Sequence, residues 1–66
     1  MSKLSFKAFC IENYAMHCGQ PSNKVYMLFA REGLLTMLDR DYEDLHGMSV
    51  EYLMQFFDEY LKGGAA

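Results

Sequence analysis

Apolar residues recur at helical spacing along almost the whole chain, and Gly19, Gly33 and Gly47 punctuate the pattern. At 100° per residue, Leu4, Ala8, Ile11, Ala15 and Cys18 form one stripe. Phe6, Cys10 and Tyr14 broaden it, while Phe9 and Met16 fall on the opposite side. The spacing predicts a helix over Lys3 to Cys18, with Ser2 as N-cap and Gly19 in the left-handed position after its end. A helix apolar around most of its circumference is buried on more than one side, so this one is expected at the centre.

Gln20-Pro21-Ser22 then reads as a turn, with Ser22 capping a second helix over Asn23 to Glu32 that Gly33 closes. Val25, Leu28 and Phe29 form its inward face. The third segment, Leu34 to His46, carries Leu34, Leu35, Leu38, Tyr42 and Leu45 at helical spacing and ends at Gly47. The string Asp39-Arg40-Asp41 leaves open whether it is one helix or two. In the fourth, Ser49 is the N-cap and Met48 is placed to staple against Leu53. Val50, Leu53, Met54, Phe57, Tyr60 and Leu61 form its apolar arc, and Glu51, Gln55, Asp58, Glu59 and Lys62 face away. Asp58 and Lys62 are oriented for an i,i+4 pair, and Gly63 is the expected stop. No stretch alternates with period two for the length of a strand. The expected fold is all-α, a compact bundle of three to four short helices over residues 1–62, followed by a flexible tail at 63–66.

Charge and length narrow the function classes. The net charge is −3 with basic residues scattered singly, so the basic patch that a phosphate backbone requires is missing, which argues against nucleic acid as a partner. No apolar run reaches 18 residues, so no membrane span is expected. The N-terminus lacks the apolar core and cleavage site of a secretory signal, which points to a mature cytoplasmic protein starting at Met1. Cys10 and Cys18 lie eight positions apart on one helix, roughly 12 Å. That exceeds the reach of a disulfide, about 7 Å between Cα atoms. Both are read as small buried hydrophobes.

No pattern announces catalysis, a cofactor or a metal. His17 and Cys18 are helix neighbours pointing about 100° apart, and C-x₂₋₄-C and H-x₃₋₅-H spacings are missing. An EF-hand loop started at Asp39 fails at its sixth and twelfth positions, where Asp44 and Val50 stand in place of glycine and glutamate. His46, just before Gly47, is placed to cap free carbonyls at a helix end or to serve an interaction.

The surplus of aromatic and methionine side chains is the strongest functional signal. Tyr52 and Phe56 extend the fourth helix beyond its core arc, Tyr26, Ala30 and Met27 do so on the second, and Phe9 and Met16 form a ridge on the first. Such residues either form an association surface for a protein partner or a homodimer, or are covered by the third segment as core. A small helix-turn-helix DNA-binding protein is the alternative function, built on Ser22 to Glu32, Gly33 and the following Leu34 to Leu38. Its recognition helix would be apolar and followed by acids, a poor supply for base readout.

Phe9-Cys10-Ile11-Glu12-Asn13-Tyr14-Ala15, the Glu32-Gly33-Leu34-Leu35 element and Asp41-Tyr42-Glu43-Asp44-Leu45-His46-Gly47 together resemble a family of short bacterial helical proteins classed as a domain of unknown function. That family shares an I-E-x-Y-A-like first helix and a Y-x-x-L-H element, and some members are encoded beside a domain resembling ADP-ribosyltransferases. The resemblance implies an accessory or toxin-neutralising partner, with no catalytic residues to carry over. Ile11, Glu12, Tyr14, Tyr42, Leu45 and His46 are the counterparts of its recurrent residues. Packing or capping accounts for all but Glu12, which makes Glu12 a candidate interaction residue beside Tyr26, His46, Tyr52 and Phe56.

Overall fold

Helix α1 spans Lys3–Cys18 in the computed structural model, which describes residues 1–64. The Ser2 hydroxyl accepts the Ser5 amide at 3.1 Å, so an otherwise unpaired donor of the first turn is satisfied. At the other end Gly19 adopts φ 68°, and the Gly19 and Gln20 amides return to the Met16 and Ala15 carbonyls. That is the two-bond closure of a Schellman motif, and the positive φ explains the glycine.

The inward face of α1 differs from the expected stripe. Phe6, Cys10, Ile11, Tyr14 and Ala15 are buried, whereas Leu4 is 75% exposed and Ala8 and Cys18 also face solvent. The helix is rotated toward its aromatic side because burying Phe6 and Tyr14 removes more apolar area from water than burying Leu4 and Ala8. Phe9, expected on the far side, packs half-buried against the core. Helices α2 (Ser22–Arg31), α3 (Leu34–Arg40) and α5 (Val50–Glu59) all pack on α1, which is the central helix.

Helix α2 is Ser22–Arg31, one residue earlier than the spacing suggests. Pro21 holds the N-cap position and no side chain caps the helix. Ser22 is already helical, and its hydroxyl donates to Glu12 Oε1 at 2.8 Å instead of accepting from its own first turn. Val25 and Phe29 are buried, and Leu28 is half-buried. Gly33, at φ 79°, separates α2 from α3 (Leu34–Arg40).

The third segment is two helices, α3 and the single turn α4 (Tyr42–Leu45), broken at Asp41. In an unbroken helix Asp41 would lie on the same face as Leu34, Leu38 and Leu45, all of them core residues. A carboxylate there would be desolvated without a partner. The break lets the Asp41 carboxylate meet Arg40 at 3.0 and 3.1 Å while Leu45 still turns inward. Lys7 ties α1 to α3 through Asp39 at 3.1 Å. Leu34, Met37 and Leu38, which would form the reading end of a helix-turn-helix, face the core.

Helix α5 (Val50–Glu59) starts as expected, with the Ser49 hydroxyl accepting the Tyr52 amide at 3.1 Å. Leu53, Met54 and Phe57 are buried, whereas Val50 is at the surface. Gly63 does not stop the helical run, which continues as a wider π-type turn over Tyr60–Gly64. Tyr60 and Leu61 remain packed against the core, so tertiary contact sets this end. Ala65 and Ala66, the rest of the expected tail, lie outside the described residues. Phe6, Phe29 and Phe57 anchor the core together with Leu34, Leu38, Leu53 and Cys10. Among the described residues there is no strand, and no helix is long and apolar enough to cross a membrane. The fold is an all-α small bundle.

Candidate functional site

The outer face of α5 carries two of the sequence-predicted interaction residues side by side. Tyr52 is 48% exposed and its ring stacks on Phe56, with centroids 6.2 Å apart and planes 9° apart. Residues four apart on a helix stand one above the other, and here that produces a flat two-ring surface. Phe56 is half-buried and also meets Phe57 and Tyr60. Its inner edge is therefore core and its outer edge surface. Glu51, Gln55 and Glu59 line the neighbouring strip of α5, with Gln55 donating to Glu59 at 3.3 Å.

The other candidates are placed separately. Tyr26 on α2 is 53% exposed, and no aromatic contact joins it to Tyr52 or Phe56 among the described residues. Glu12 bonds to Ser22, so it links α1 to the start of α2, the role that its polar position concealed. His46 Nδ1 donates to the Tyr42 carbonyl at 2.9 Å, and the ring stacks on Tyr42 at 4.5 Å. A carbonyl can only accept, so Nδ1 carries the hydrogen. Tyr42 in turn meets Phe6 edge-on at 5.5 Å and donates its hydroxyl to the Met1 carbonyl.

A polar cluster that the sequence reading missed joins the last turns of α1 to α5. Tyr14 donates to Asp58 Oδ1 at 2.7 Å, and His17 Nε2 donates to Asp58 Oδ2 at 2.8 Å. Asp58 is thus engaged across the bundle, not in the expected pair with Lys62. Tyr14 and His17 sit three apart on one face of α1, a spacing that could have signalled a shared partner, but nothing in the sequence names it. The Tyr14 hydroxyl is held well above the usual tyrosine range, first by burial and then by its bond to Asp58. Asp58 is held below its ordinary 3.8, chiefly by the His17 hydrogen bond and next by that of Tyr14.

The sign of this shift sets a pH dependence. A carboxyl with a folded-state value below its unfolded one stabilises the fold above the unfolded value, and that contribution disappears as pH falls through the folded value. The side chain is 46% exposed, so solvent screening keeps the effect small. The urea midpoint of the wild type is expected to fall more between mildly acidic and strongly acidic pH than that of Asp58→Asn. Parallel curves for the two proteins would show that the cluster contributes nothing.

Two shallow grooves flank the cluster. One of about 340 Å³ is lined by Tyr14, Cys18, Gln20, Lys24, Val25, Leu28 and Leu61. The other, also about 340 Å³, is lined by His17, Val50, Glu51, Met54, Gln55 and Asp58. Cys10 is fully buried, and burial pushes its thiol up to about 12, so it is inert packing. Cys18 is exposed, contrary to its reading as a buried hydrophobe, because α1 turns its aromatic side inward. No group of three His, Cys, Asp or Glu side chains among the described residues is placed to hold a metal ion.

No curated protein and no solved structure matches the chain. A family model does match, and the match runs from within the first turn of α1 into the π-type turn. On that match, over residues 5–63, the chain belongs to the family described as protein of unknown function (DUF3791).

Proposed function

We propose that the chain is a non-catalytic protein-interaction module working through the outer face of α5. The observation that carries this reading is the stacked Tyr52–Phe56 pair, an exposed ring lying on a half-buried one at the edge of a bundle whose core is already closed by Phe6, Phe29 and Phe57. Tyrosine is enriched in interface hot spots, where an amphipathic ring contributes area at low entropy cost. The polar groups support the same reading. Asp58 spends both oxygens on Tyr14 and His17, which makes it a structural link between α1 and α5. The finer role, an accessory or toxin-neutralising partner, is inferred from the resemblance in the sequence. It requires a surface and no chemistry.

Tyr52→Glu tests this directly. The variant is expected to lose association with the protein that co-purifies from host cells, or with itself, by about thirtyfold or more, the scale of an interface hot spot. Its far-UV circular dichroism should match the wild type because Tyr52 is outside the core. Unchanged association, measured by co-purification stoichiometry and sedimentation, would place the interface elsewhere and sink the proposal.

A further inference from the structure

Charge is divided unevenly between the two outer helices. Helix α2 holds Lys24 and Arg31 and no acid, whereas α5 holds Glu51, Asp58 and Glu59 and no base. In a chain of net charge −3, α2 is thus a basic helix and α5 an acidic one. Lys24, Met27, Leu28 and Arg31 line one shallow groove of about 250 Å³, with Met27 and Leu28 between the two cations. Lys24 joins no ion pair among the described residues. Arg31 makes only a 3.3 Å surface contact with Glu32, its sequence neighbour, and such pairs contribute little. On α5, Glu51 and Glu59 bracket Gln55, with Tyr52 and Phe56 alongside. The cations are seven positions apart and the acids eight, roughly 10.5 and 12 Å along their helices.

We propose that α2 of one copy docks against α5 of a second copy of this chain, so that Lys24 and Arg31 meet Glu51 and Glu59 around an apolar centre of Met27, Leu28, Tyr52 and Phe56. The two strips match in length and oppose in sign. Each presents large apolar side chains between or beside its charges, as an interface core with a charged rim requires. The partner is a second copy because one sequence supplies both halves. This inference rests on the reading of the α5 face as an association surface, and adds which surface it meets.

The test is charge reversal with mixing, read by sedimentation over a concentration series. Wild type is expected to self-associate. Lys24→Glu/Arg31→Glu makes both strips acidic and Glu51→Lys/Glu59→Lys makes both basic, so each alone should associate about tenfold more weakly or not at all. An equimolar mixture of the two variants restores opposite charges across the contact and should recover association. All substituted residues are at the surface, and circular dichroism checks that each variant folds. A wild type that stays monomeric overturns the proposal, as does a mixture that stays monomeric. Self-association that Tyr52→Glu abolishes but both charge reversals leave intact overturns the α2 contact alone. Capture of a different protein through Tyr52 by a monomeric chain overturns the second-copy proposal while supporting the α5 reading.

Discussion

Phe57→Ala is expected to destabilise the domain by about 3–5 kcal/mol, the cost of deleting a fully buried aromatic ring and leaving most of its volume empty. Phe57 has no exposed surface, and its ring meets Phe29 at 5.2 Å, Tyr14 at 5.8 Å and Phe56 at 5.8 Å. It therefore joins α5 to both α1 and α2, and no single neighbour can collapse into the space. A 66-residue domain has a total stability of about 3–10 kcal/mol, so the variant should be largely unfolded at the bottom of that range. Far-UV circular dichroism during urea titration measures it. Phe57→Leu, which keeps part of the volume, should unfold at an intermediate urea concentration. An alanine variant with a wild-type midpoint would mean that α5 is not packed on α1 through this ring.

Asp58→Ala carries the second-largest expected loss of folding stability, about 1–2 kcal/mol, although its side chain is close to half exposed. The reason is what it leaves behind. Tyr14 is buried with its hydroxyl aimed at Asp58, and an unpaired hydroxyl there costs more than the bond itself contributes. Tyr14→Phe removes the hydroxyl, keeps the ring against Phe29 and Phe57, and leaves a carboxylate that water can reach. It should therefore cost less than Asp58→Ala. The double variant should be closer to Tyr14→Phe than to the sum of the two, because the coupled pair is lost only once. Strict additivity in urea titrations would contradict a working Tyr14–Asp58 bond.

The helices were legible because their signals are local. Ser2, Ser49, Gly19 and Gly33 mark ends through bonds made within a turn or two, and the structure puts helix ends at each. Two local readings failed where a distant residue outbid the local one. Ser22 gives its hydroxyl to Glu12, ten positions away, and Asp58 turns to Tyr14 and His17 across more than forty. The orientation of α1 differs from its apolar stripe for a related reason. Counting apolar positions weights Leu4 and Ala8 like Phe6 and Tyr14, whereas burial follows area. Neighbouring charges alone do not decide the break at Asp41; the alignment of Asp41 with Leu34, Leu38 and Leu45 does.

Among the candidate interaction residues, Tyr52 and Phe56 could be paired from their spacing alone, since side chains at i and i+4 are neighbours on one helix face. The separate placement of Tyr26 and the internal duties of Glu12 and His46 depend on helix packing, which periodicity does not encode. The α5 face is thus proposed from the Tyr52–Phe56 spacing together with the stack those rings form.

Amide chemical-shift mapping of the labelled protein, by dilution for self-association or by titration with a co-purified partner, tests that face most directly. Perturbations are expected to centre on Glu51, Tyr52, Gln55, Phe56 and Glu59, with Leu53 and Phe57 following weakly through the helix. Association that perturbs other surfaces while Tyr52 and Phe56 stay silent would contradict it.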